Sequence, residues 1–143
     1  LDPEAVVGLM RSARVVVVPS RWAEPSGRAA LEAMAVGAPV VAFDSGGLGE
    51  LVSESGGGRA VPPSAEAMAT ACMELQGDPA SWELLSKRGL RTIEGERSTD
   101  LWVDRVAAVF ERVVRSGGRI NDYSTPIVRR ARKGRKKIDV PAG

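Results

Sequence analysis

The chain of 143 residues contains no histidine and a single cysteine, Cys72. Without histidine it supplies no imidazole base, nucleophile or metal ligand. One cysteine makes neither a disulfide framework nor a zinc spacing, and within A-M-A-T-A-C-M-E-L it reads as a small core residue. Aspartates and glutamates nowhere cluster as a metal cage. Aromatic residues are few: three Trp, one Tyr and two Phe. No apolar run approaches the roughly 20 residues of a membrane-spanning helix, and no secretory leader pattern is visible. The expected location is therefore cytoplasmic. What is present, 43% hydrophobic residues, suffices for one domain's core.

Charge is unevenly spread. Residues 1–114 carry eleven basic against sixteen acidic groups, a net charge of −5. Residues 115–137 carry nine basic groups against Asp122 alone. The overall +2 thus combines an acidic body with a strongly basic tail. We expect an α/β domain over 1–115 and a basic, disordered tail over 116–143, joined at Ser116-Gly117-Gly118. The run R-R-A-R-K-G-R-K-K within 119–137 fits a solvated tail, read-through sequence, or contact with an anionic membrane surface. Nucleic acid ranks last, because only Tyr123 accompanies these charges.

The informative stretch is P-S-R-W-A-E-P-S-G-R-A-A-L-E-A-M-A-V-G-A-P-V-V-A-F-D-S-G-G-L-G-E, residues 19–50. Four valines, Val15 to Val18, precede it and suit a strand buried on both faces of a parallel sheet. A short loop leads to Ser26, placed as a helix N-cap, and Gly37 stops that helix. A second strand over 39–43 then runs through Asp44-Ser45-Gly46-Gly47 into another helix. This is the grammar of a Rossmann-like parallel sheet with flanking helices. Further helices are expected over 2–13, 65–76, 79–91 and 100–115, with a last strand over 59–61. Trp82 and Trp102 read as core or interface anchors.

Both loops leave the carboxyl ends of strands, where open α/β sheets bind ligands, and both feed helix N-termini that favour an anion. Gly27, Gly46 and Gly47 are then either phosphate-approach positions or ordinary tight turns. Glu32 lies among Ala29, Ala30, Leu31, Ala33, Met34, Ala35 and Val36, a pattern expected of a buried helix. A carboxylate there needs a partner. A vicinal diol such as a ribose would serve, as would Arg28 one turn back, or water. Trp22 either touches a sugar beside Glu24 or packs the loop.

Glu24 and Glu32 form a Glu-x7-Glu motif, E-P-S-G-R-A-A-L-E. With both flanking valine strands and the Gly-Gly turn, the run resembles the donor-binding half of retaining family 4 (group 1) glycosyltransferases of the GT-B fold. The resemblance covers about residues 1–80 well. It implies a hexosyltransferase-type activity, metal-independent, using a nucleotide-diphosphate sugar as substrate and no cofactor. In that family Glu24 would contact hydroxyls of the donor sugar and act as the catalytic-site carboxylate, and Glu32 would hold the ribose. Backbone amides at Gly27, Arg28 and Ala29 would face the distal phosphate, with Ser45, Gly46 and Gly47 lining the pocket from the neighbouring loop. Ser26 departs from a commoner Phe and Gly49 from a commoner Pro. Family members also carry an acceptor half ahead of the donor half, so we expect this chain to be a fragment, inactive alone. The alternative is a non-catalytic nucleotide-sugar-binding remnant or one piece of a split enzyme.

Overall fold

The structure, a computed structural model, describes residues 2–95 and 97–116. The tail and most of its linker therefore lie outside the described residues. The chain divides into two compact units meeting at Trp102/Val103. The first is the α/β body; what is described of the second is the remainder of the last helix.

Helix α1 (Pro3–Ser12) starts with proline in its first turn and with the Asp2 carboxylate accepting from the Ala5 amide at 2.7 Å. Strand β1 (Val16–Val18) follows, then α2 (Arg28–Ala35), β2 (Val40–Phe43), α3 (Gly46–Ser55) and β3 (Gly58–Val61). Helices α4 (Ala65–Gly77), α5 (Pro79–Glu94) and α6 (Thr99–Arg115) complete the described chain. The strands form one parallel sheet in the order β1-β2-β3, with Val16 opposite Val40 and Val40 opposite Gly58. The α/β class with flanking helices is as expected.

Alternation along β2 builds the layers. Val40 and Ala42 face one side and pack with Ala30, Ala33 and Met34 of α2 and Leu48, Leu51 and Val52 of α3. Val41 and Phe43 face the other side and pack with Met68, Ala71 and Leu75 of α4. All four β2 residues are buried, as a central parallel strand requires. Cys72 joins the α4 side, and its partial burial pushes the thiol pKa up.

The valine run before Pro19 behaves differently. Only Val18 is buried, and Val17 is 44% exposed. β1 lies at the end of the sheet among the described residues, and Val17, on the face it shares with Val41, is not covered there. The doubly buried expectation for the Val15–Val18 run fails; the strand buried on both faces is β2. Trp82 is half-buried and ties α5 to the segment before β1: its indole N–H donates to the Arg14 carbonyl while the Arg14 guanidinium lies 4.8 Å from the ring centre. Trp102 is largely exposed.

Candidate functional site

The loops after β1 and β2 are locked together, backbone against backbone. The Gly47 amide donates to the Glu24 carbonyl at 2.7 Å. A Cβ on Gly47 would sit 2.3 Å from the Pro25 carbonyl oxygen, and one on Gly46 would sit 2.9 Å from the Ala23 Cα. Gly46 also adopts φ 55°, a left-handed conformation that glycine reaches without penalty. The glycines therefore do make tight turns, and those turns bring the N-termini of α2 and α3 side by side.

Gly27 takes the cap position of α2 that the sequence suggests for Ser26. It does so at φ 60°, and a Cβ there would meet Leu48 Cδ1 at 2.9 Å. Contact with α3 thus decides the cap: only glycine lets the chain turn in this close to Leu48. Ser26 is left exposed.

Side-chain capping separates these two helices from the others. Asp2 caps α1, Ser64 caps α4 and Asp78 caps α5, and the Ser98 hydroxyl accepts from Leu101 at the start of α6. Neither α2 nor α3 has a side-chain cap bond, and neither has an acidic residue in its first turn. Their leading amides and positive dipole ends are left uncompensated where strands β1 and β2 end. At α2 these amides belong to Gly27, Arg28 and Ala29; the first amides to turn inward are those of Ala30 and Leu31, which donate to the Gly27 carbonyl. At α3, Ser45 is the cap residue and Gly46 the first helical residue, while the Gly47 amide is committed to Glu24.

The two glutamates are held differently. Glu24 is half-buried, and the Ser20 hydroxyl donates to its Oε1. Ser20 escapes sequence reading because a Ser–Glu pair four apart in a loop has no periodic signature. Glu32 is not buried: its side chain is 46% exposed and pairs with Arg28 at 3.1 Å, Arg28 itself being 85% exposed. The expected buried helix is buried on one face only, through Ala30, Ala33 and Met34. Alanines populate the open face as well, and alanine tolerates exposure, so composition overstated the burial. Arg28 is thus the partner of Glu32 in this structure.

Gly49, where the resembled pattern more often has Pro, has a local reason. A Cβ there would lie 2.2 Å from Asp44 Oδ1, so the Asp44 carboxylate occupies the space a side chain would need. Trp22 does not pack the loop; it is 66% exposed. Among the described residues no group of three or more His, Cys, Asp or Glu is placed to hold a metal ion, and no helix is long and apolar enough to cross a membrane.

A groove of about 390 Å³ lies at the opposite end of the sheet, against Glu54, Ser55, Arg88, Arg91 and Thr92. It sits where α3 and α5 end. Arg91 in the last turn of α5 is what that helix's negative dipole end favours, so the groove has a structural explanation and lies away from Glu24 and Glu32.

The family model described as glycosyl transferases group 1 matches residues 1–91, which include both loops, both glutamates and all three strands. The chain belongs to the group 1 glycosyl transferases. It is 31% identical over 135 residues to a glycogen synthase of Mycobacterium tuberculosis, covering 92% of this chain and 31% of that protein. Among solved structures it is similar to a sucrose-phosphate synthase from Thermosynechococcus elongatus, with a TM-score of 0.74 and 32% identity over 81% of this chain and 29% of that one. The chain thus spans about a third of the length of the relatives it matches.

Proposed function

We propose that this group 1 glycosyl transferase chain binds a nucleotide-diphosphate sugar across the paired N-termini of α2 and α3. The observation that carries this reading is the selective lack of side-chain caps on those two helices. The diphosphate would accept from the amides of Gly27, Arg28 and Ala29, with Ser45 and Gly46 on its other side. The Arg28 side chain, held only by one exposed ion pair, is free to turn from Glu32 to the phosphate. Glu32 would then accept from the ribose diol. Glu24, oriented by Ser20, would accept from hydroxyls of the sugar. Gly47 serves by fastening the loops rather than by donating to the ligand.

The proposed chemistry is transfer of the sugar with retention, and what supports a transfer is that negative charge builds on the departing diphosphate. A fixed helix N-terminus stabilises that charge without reorganising and without requiring a metal. We read the chain as a donor-binding component: binding is expected of it alone, turnover is not. Purified chain incubated with UDP-, ADP- and GDP-sugars tests both halves. The expected result is saturable binding of at least one donor with no sugar transfer. Absence of binding by a cooperatively folded chain refutes the donor site, and transfer without a partner refutes the component reading.

A further inference from the structure

Trp22 is the largest side chain in the loop after β1, and the fold leaves it uncovered at 66% exposure. Its backbone, by contrast, is fixed on both sides. Ser20 is bound to Glu24, and Ala23 is pressed against Gly46 so closely that a Cβ there would meet the Ala23 Cα at 2.9 Å. Trp22 is two residues from Glu24, so their Cα atoms are at most about 7 Å apart. A large ring is thus left mostly open on a loop with a fixed backbone, two residues from a half-buried carboxylate.

We infer that Trp22 is a stacking platform for the donor sugar and a specificity-determining residue of this site. A pyranose ring is amphipathic, with hydroxyls around its edge and C–H groups on its faces. A carboxylate recognises the edge and an indole face recognises the C–H surface. Glu24 and Trp22 supply that pair from one loop, and two χ angles on a fixed backbone make the platform cheap to order. The indole favours pyranoses whose C–H groups gather on one face, and it disfavours those with an axial hydroxyl projecting from that face. The ring adds nothing for the nucleotide part, which the helix N-termini and Glu32 address. This inference rests on the donor-site reading above.

The experiment compares sugar nucleotides with their bare nucleotides. UDP-glucose, ADP-glucose and GDP-mannose, and separately UDP, ADP and GDP, are titrated calorimetrically into the wild-type chain, Trp22→Ala and Trp22→Phe. For the sugar nucleotide that binds, Trp22→Ala should weaken affinity about tenfold, the size of one ring contact. Affinity for the matching bare nucleotide should stay within about twofold, and Trp22→Phe should recover most of the loss. Because the ring is exposed, all three proteins should melt alike. Equal weakening of sugar nucleotide and bare nucleotide, or of neither, overturns the inference while leaving the donor site standing. Loss of affinity for free hexose or a glucan, with the sugar nucleotide unaffected, moves the platform to an acceptor and also overturns it. Failure of the wild type to bind any nucleotide or sugar nucleotide removes the donor site itself, and the platform with it.

Discussion

Gly47→Ala tests the joint on which the site is built. The residue has no left-handed φ, so alanine brings no backbone strain of its own. Its cost lies wholly in what the methyl group meets: the Pro25 carbonyl oxygen at 2.3 Å, the Pro25 carbonyl carbon at 2.8 Å and the Glu24 carbonyl oxygen at 3.0 Å. All three are backbone atoms and none can rotate away. Forcing a methyl into packed structure costs about 1–3 kcal/mol, and losing the Gly47–Glu24 hydrogen bond adds about 0.5–1.5 kcal/mol. A total near 2–4 kcal/mol should lower the melting temperature of a body of this size by roughly 10–25 °C. The assay is thermal unfolding followed by circular dichroism, with Gly8→Ala as the control. Gly8 lies mid-helix in α1 with nothing within 4 Å of an added Cβ. Alanine there should raise stability by about 0.5–1 kcal/mol. If Gly47→Ala melts with the wild type while the control behaves, the two loops are not locked as described.

Asp78 caps α5 by accepting from the Ser81 hydroxyl and amide and from the Ala80 amide, which holds its carboxyl below the ordinary value of 3.8. The lowered pKa means that this contribution is complete above pH 3.8 and fades as pH falls through the lowered value. Asp78→Ala should lower the melting temperature at neutral pH, and Asp78→Asn should keep the cap while removing its part of the acid dependence, both read by melting at stepped pH. The basic segment 119–137 should carry any binding to anionic vesicles, at about 1 kcal/mol per basic group near the surface. In vesicle co-sedimentation, deletion of 117–143 should abolish that binding, and several hundred millimolar salt should suppress it, since the Debye length falls to roughly 3 Å at 1 M. Binding that survives the deletion would place the contact on the body.

The sequence made the α/β alternation legible because β2 and its neighbours obey local rules. V-V-A-F is apolar at every position, and every position is buried. Gly37 ends α2 at φ 79° as a left-handed stop. Helix boundaries fall within a few residues of expectation. What escaped was set by contacts distant in sequence. Burial of Val17 depends on whether a neighbour covers that face, which composition does not encode. The cap at Gly27 rather than Ser26 depends on Leu48, twenty-one residues on. Glu32 looked buried because alanine counts as apolar yet covers little. At the site, the glutamates and glycines were legible as a motif. The Ser20–Glu24 bond, the commitment of the Gly47 amide and the exposure of Trp22 were not, since each needs the loops in three dimensions.

Glu32→Gln separates a nucleotide-binding role of Glu32 from a role in the helix's own stability. Its pair with Arg28 is an exposed i,i+4 contact, so Glu32→Gln should change folding stability by no more than about 0.5 kcal/mol. Loss of a charge-assisted acceptor to a ribose diol should weaken nucleotide-sugar binding by about 1–3 kcal/mol. Calorimetric titration of wild type and Glu32→Gln with the same sugar nucleotide, alongside their melting curves, measures both. The expected result is unchanged melting with affinity lower by about one to two orders of magnitude. Unchanged affinity with a lowered melting temperature would contradict it and make Glu32 a partner of Arg28 alone.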